Sequence, residues 1–92
     1  MSTLPPHGEA VADVIVPVLN EAANLDELLR RLRALPVVVH PIFVDNGSTD
    51  RTLEILRGES DVELIEHGEN LGYGASLRDG LLASRRDRVV II

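Results

Sequence analysis

Val14-Ile15-Val16-Pro17-Val18 runs directly into Leu19-Asn20-Glu21. A continuous β-branched run with no polar alternation reads as a strand buried on both faces, the kind parallel sheets use. Pro17 has no N–H, so the strand either finishes there or puts that position where no donor is needed. Further on, Leu25, Leu28, Leu29, Leu32 and Leu35 recur at helical spacing, with Arg30, Arg31 and Arg33 largely on the other side. Asn24, with Glu27 three residues later, reads as a capping pair for that helix, and Pro36 stops it. A buried strand feeding an amphipathic helix is the opening of a βα unit.

The same alternation continues downstream. The β-branched run 37–44 is interrupted by His40-Pro41, so the second strand is expected over 42–44 with a residue or so on each side. Asp45-Asn46-Gly47-Ser48 is a cluster of turn formers. Ser48 or Thr49 can cap a short helix over 50–57, with Leu53 and Leu56 inward and Gly58 ending it. Residues 62–66 alternate as a third strand, and 67–74 form a loop holding Gly68, Gly72 and Gly74. A helix is expected over about 75–84, using Leu77, Leu81 and Leu82, and 89–92 is a fourth apolar run. The order is β-α-β-α-β-α-β, an α/β fold with a parallel sheet joined by crossovers. Residues 1–10, with Pro5, Pro6 and Gly8, read as a flexible lead-in to a domain over 11–92.

Composition bounds what such a chain can do. Of 92 residues, 45% are hydrophobic but only Phe43 and Tyr73 are aromatic, so the core must be aliphatic. Fifteen Asp and Glu against nine Arg give a net charge of −6, which argues against a nucleic-acid partner. The absence of cysteine excludes disulfides, thiolate metal sites and a thiol nucleophile. The opening residues have neither the basic end nor the apolar stretch of a signal peptide, and no run approaches the roughly 20 apolar residues of a membrane span. The expectation is a cytoplasmic chain.

In open parallel sheets, ligands bind beyond the carboxyl ends of the strands. The loops at that edge are 19–23, 45–50 and 67–74, and polar residues concentrate there. Asn20 and Glu21 can hydrogen-bond a base or sugar, or can be a polar pair turning into the helix. Asp45 can accept from a ring N–H or ribose hydroxyl, or bind a metal, or close an Asx turn over Gly47 and Ser48. Ser48 and Asp50 read as caps. The glycines of 67–74 can admit a diphosphate, although the spacing is not the dinucleotide fingerprint. His7, His40 and His67 are not at metal-ligand spacing and read as incidental loop residues, and nothing forms a Ser-His-Asp arrangement.

Three segments carry a family resemblance: 14–21, then Phe43-Val44-Asp45-Asn46-Gly47-Ser48-Thr49-Asp50-Arg51-Thr52, then Glu69-Asn70-Leu71-Gly72-Tyr73-Gly74-Ala75. In this order they resemble the N-terminal half of a family 2 glycosyltransferase, of the subgroup acting on dolichyl or polyprenyl phosphate. The resemblance covers residues 12–92 and implies the nucleotide-binding half of a GT-A, Rossmann-like fold that transfers a sugar from a nucleoside diphosphate donor, UDP- or GDP-linked, with inversion. It implies that Pro17, Asn20, Glu21, Asp45, Asn46, Gly47 and Gly72 line the nucleotide-sugar pocket. Leu19 stands where relatives often have an aromatic residue, and Asn46 replaces the second Asp of an Asp-Asp-Gly-Ser motif. The family's Asp-x-Asp motif, which takes Mg or Mn, and its catalytic base are absent from the 92 residues, so the domain is expected to be partial, truncated before that motif, with no catalytic or metal residue and no transfer activity alone. The alternative is a short nucleotide-binding or interaction module whose last strand is covered by a second copy or a partner chain. A phosphoacceptor receiver domain needs about five βα units and a late Lys, neither of which is present.

Overall fold

A computed structural model describes residues 10–92. The lead-in expected over 1–10 lies outside the described residues except for Ala10. The elements are β1 (Asp13–Val18), α1 (Ala22–Arg33), β2 (His40–Asp45), α2 (Thr52–Arg57), β3 (Glu63–Glu66), α3 (Tyr73–Ala83) and β4 (Val89–Ile91). The four strands are parallel in the order β3-β2-β1-β4. Strand order therefore reverses between β1 and β4, which makes the crevice at their carboxyl ends the topological switch point.

The alternation of β1 sorts the core onto two faces. Val14, Val16 and Val18, with Phe43 of β2, meet Leu25, Leu29 and Leu32 of α1 and Leu56 of α2. Ile15, with Ile42 and Val44, meets Leu77 and Ala83 on the other side. Burying leucines of this kind stabilises by about 1.5–3 kcal/mol each. α3 lies so close to β1 that a Cβ on Gly80 would fall 2.5 Å from Ile15 Cγ2.

Both strand prolines have a physical account. Asp13 donates its N–H to Arg88 and Ile15 accepts from Ile92, so the odd residues of β1 turn their backbone groups toward β4. The β1–β4 ladder stops at Ile15↔Ile91, which leaves Pro17 beyond the last pair although β1 continues to Val18. Pro41 lies inside β2, but pairing with β3 begins only at Ile42↔Glu63.

Several expected boundaries shift. α1 begins at Ala22, and Asn24 is not its cap: Asn24 donates its amide to Glu21 Oε1 at 3.0 Å from within the first turn. Glu27 pairs with Arg30 and Arg31 instead of completing a capping box. α2 begins at Thr52, two residues later than expected, because Asp50 is held outside it. On α3 the inward residues are Ser76, Leu77, Gly80 and Ala83, while Leu81 and Leu82 are exposed, Leu82 at 77%. Helical spacing of leucines fits either face when no small residues are weighed, and here the close approach selects Gly80 and Ser76. β4 is an edge strand with Val90, Ile91 and Ile92 exposed.

At the opposite end from the loops named above, Asp13 is fully buried. Its carboxylate accepts from the Ser84 hydroxyl at 2.7 Å, the Arg85 and Arg86 amides at 2.9 and 3.0 Å, and the Arg86 guanidinium at 2.7 Å. Burial pushes its carboxyl up, but these bonds together outweigh it and bring it down to about 2. One carboxylate thus fixes the turn that carries the chain from α3 into β4.

Candidate functional site

The loops after β1, β2 and β3 meet at the carboxyl edge of the sheet. Asn20 adopts φ 54, a left-handed conformation that Asn tolerates better than most residues. That turn aims its side chain across the sheet edge. Asn20 Oδ1 accepts from the Thr49 amide at 2.7 Å and the Asp50 amide at 3.2 Å, and the Asn20 N–H donates to Ser48 Oγ at 2.9 Å. The next two amides are also taken by the second loop, Glu21 N–H by Thr52 Oγ1 at 3.0 Å and Ala22 N–H by Asp50 Oδ2 at 3.2 Å. Asp50 Oδ1 accepts from the Thr52 amide and hydroxyl at 2.9 and 2.5 Å. The Thr52 hydroxyl bond is the main reason the Asp50 carboxyl lies below its ordinary range. The start of α1 is therefore capped from 28 to 31 residues away, which local spacing rules have no means of detecting.

Asp45 ends β2 fully buried. Its Oδ2 accepts from the Gly47 amide at 3.1 Å and the Ser48 amide at 3.0 Å, closing the turn, while its Oδ1 is buried with no hydrogen-bond partner. Both readings of Asp45 thus survive, one for each oxygen. An unpaired buried carboxylate oxygen costs more than about 1–3 kcal/mol, so a ligand, an ordered water or an ion is needed to satisfy it.

Asn46, also buried, joins the second loop to the third. Its Nδ2 donates to Asn70 Oδ1 at 2.8 Å, and its Oδ1 accepts from the Leu71 amide at 2.9 Å. Asn70 Oδ1 also takes the Gly72 amide at 2.9 Å. Gly47 permits this closeness, because a Cβ there would lie 2.6–2.8 Å from the backbone of Glu69 and Asn70. Gly72, at φ 92, turns the chain into α3 with open space around it. Pro17 and Glu21 lie on a cleft of about 250 Å³ between β1 and α1, together with Val18, Asn24, Leu28 and Ile92. The structure thus brings Asn20, Asp45, Asn46, Gly47 and Gly72 into one laced group of loops, with Pro17 and Glu21 beside it at the β1–β4 switch point.

Two histidines are not incidental loop residues. His40 is a buried strand residue with Nε2 at 2.9 Å from Glu63 Oε1. The His67 side chain is only 5% exposed, with Nδ1 at 3.1 Å from Asn46 Oδ1 and Nε2 at 2.7 Å from Asp79 Oδ2. Thr52 and Asp79 were missed for a related reason: their bonds to Glu21 and His67 join segments far apart in sequence, and no short-range pattern marks them. Of the two residues read as helix caps, Ser48 bonds the first loop instead, while Asp50 does both, holding the Thr52 amide at the start of α2 with one oxygen and the Ala22 amide with the other.

Among the described residues, no three His, Cys, Asp or Glu side chains converge as a metal site would require. No helix among the described residues is long and apolar enough to cross a membrane.

A parallel α/β sheet with a polar, interlocked loop group at its carboxyl edge defines a Rossmann-like class of fold. The sequence profile of glycosyl transferase family 2 matches residues 13–92, and the chain belongs to that family. It is 33% identical to an undecaprenyl-phosphate 4-deoxy-4-formamido-L-arabinose transferase of Pseudomonas paraeruginosa, over 95% of this chain and 28% of that protein. It is likewise 33% identical to a pre-mycofactocin glycosyltransferase of Mycobacterium tuberculosis, over 96% of this chain and 19% of the relative. An uncharacterized glycosyltransferase of Bacillus subtilis, YkcC, is 30% identical over 86% of this chain and 27% of its own length. The chain spans little more than a quarter of the length of the first of these relatives.

Proposed function

We propose that this chain is the nucleotide-sugar-binding half of an inverting glycosyltransferase, taking a UDP- or GDP-linked sugar at the carboxyl edge of the sheet. The observation that carries the reading is the buried, unpartnered Oδ1 of Asp45 at the end of β2. A ring N–H or a ribose hydroxyl is the donor it lacks, and the loops around it are held together well enough to be preorganised for one. The start of α3 at Gly72 supports a diphosphate nearby, since open backbone and the helix dipole both favour an anion there.

Transfer from such a donor needs the charge on the departing diphosphate neutralised and the acceptor hydroxyl deprotonated. The 92 residues hold neither the family's Asp-x-Asp motif nor its catalytic base, so this chain's part in the proposed reaction is binding and orienting the donor, with negligible transfer activity alone. The complete enzyme would take Mg or Mn through residues outside this chain. Its acceptor, by analogy with the undecaprenyl-phosphate enzyme above, would be a polyprenyl phosphate. A second reading, a binding module completed by a second copy or a partner chain, is favoured by the exposed Val90, Ile91 and Ile92 on the open edge of β4.

Calorimetry with UDP-glucose and GDP-mannose tests the first reading. Asp45→Ala is expected to weaken binding by about 1–3 kcal/mol through loss of a buried charged hydrogen bond. Unchanged affinity in that variant, or no binding by the parent chain, removes the reading.

A further inference from the structure

His67 lies between two loops and a helix, and both of its ring nitrogens face acceptors. Nε2 faces the Asp79 carboxylate. Nδ1 faces Asn46 Oδ1, and the surrounding network fixes that atom as oxygen. The Leu71 amide donates to it, and the other end of the Asn46 amide donates to Asn70 Oδ1, which already receives the Gly72 N–H. Turning the Asn46 amide over would set N–H against N–H at Leu71. A neutral imidazole carries one N–H and can satisfy only one of its two acceptors; the ring that satisfies both carries two.

We infer that His67 is a positioning residue for the nucleotide pocket: doubly protonated, it ties Asn46 to Asp79 and so holds residues 70–72 against the 46–51 loop, and loss of one proton loosens that segment. The consequence for affinity rests on the nucleotide-binding reading above; the coupling between ring and loop does not. The remaining proton stays toward the carboxylate, the stronger acceptor. The Nδ1 lone pair then opposes Asn46 Oδ1, and the Asn46 amide must move, taking the Leu71 and Asn70 bonds with it.

The charged surroundings leave His67 as the group that switches. From α3 come Asp79 and Arg78, whose guanidinium lies 3.2 Å from the other Asp79 oxygen. The His67 contact, aided by Arg78, keeps the Asp79 carboxyl below its usual range. From β2, Asp45 gives His67 only its backbone carbonyl, at 3.0 Å from the His67 amide, while its carboxylate holds Gly47 and Ser48. Glu66, the preceding residue, is engaged by Arg57.

The test is a titration of the isotopically labelled full chain by NMR from about pH 5 to 8, the span in which histidine changes charge. It follows the His67 ring, the Asn46 side-chain amide and the Leu71 backbone amide. In parallel, calorimetry measures UDP-glucose and GDP-mannose affinity, since neither pyrophosphate diester changes charge in this range. The Leu71 and Asn46 signals are expected to move with the ring, affinity to fall about three- to tenfold as the ring loses its proton, and His67→Gln to flatten that pH profile. Asp79→Asn provides a second variant: removing the carboxylate is expected to bring the ring and Leu71 transitions to lower pH together. Leu71 and Asn46 amides that stay still while the ring titrates overturn the inference, as does the same affinity profile in the parent and in His67→Gln. If neither nucleotide sugar binds at any pH, the nucleotide reading fails, and the joint movement of ring and loop alone decides the inference.

Discussion

The backbone of Glu69 passes so close to Gly47 that a Cβ on the glycine would lie 2.6 Å from the Glu69 carbonyl carbon. Gly47 also sits at φ 93, so an alanine there is opposed twice, by its own backbone and by the neighbouring loop. Gly47→Ala is expected to cost about 2–4 kcal/mol in urea denaturation. Gly68→Ala is the control, because Gly68 has φ 78 but nothing within 4 Å of its Cβ position. It should cost only about 1 kcal/mol. Equal losses would mean that backbone strain alone, and not the contact between the second and third loops, sets the requirement at Gly47.

Asn20 combines a left-handed backbone with a side-chain oxygen shared by Thr49 and Asp50. Substitutions separate these roles. Asn20→Asp keeps an acceptor and should be the mildest change. Asn20→Gly keeps the turn but drops the bonds. Asn20→Ala loses both and should cost about 2–4 kcal/mol. Denaturant midpoints ranked in that order support the lacing of the first two loops; an alanine variant as stable as the aspartate would refute it.

The β-branched runs and the leucine stripe of α1 made the parallel α/β fold readable, because burial on both sheet faces keeps polar residues out of the middle of β1 and β2 and leaves Asp13, His40 and Asp45 only at their ends. The three polar loops were legible for the same reason, as the places where polarity is allowed. What local pattern could not supply was pairing at long range. Asn24 looked like a cap because Asn before leucines often is one, yet the amides at the start of α1 are taken by Asp50 and Thr52 across the sheet edge. Leu81 and Leu82 looked inward because leucine usually is, yet α3 presents Ser76 and Gly80 to the sheet. His67 looked incidental because neither partner is near it in sequence.

The seat of α3 makes a further test. With only 2.5 Å between a Cβ on Gly80 and Ile15 Cγ2, Gly80→Ala must push the helix off the sheet or force Ile15 from its rotamer. Helix propensity alone would favour alanine by about 1 kcal/mol. A net loss of about 1–3 kcal/mol is expected because overpacking wins. A stabilised variant, measured by thermal melting, would show that α3 is free to shift outward.

Asp13 contributes to the acid sensitivity of the fold. Its carboxyl lies at about 2 in the folded chain against 3.8 for the unperturbed group. A depressed folded value means that the stabilisation is complete above the unfolded value and is lost as pH falls from about 4 through 2. The difference corresponds to about 2 kcal/mol. Asp13→Asn, which keeps the shape but cannot accept four charge-assisted bonds, should therefore be less stable than the parent near neutral pH by at least that amount. The gap should narrow as pH falls toward 2, where the parent carboxylate itself becomes protonated. Denaturation series at about pH 7, 4 and 2.5 measure the difference directly. A gap that stays constant across them would mean that Asp13 acts through packing alone and that its charge does not hold the α3–β4 turn.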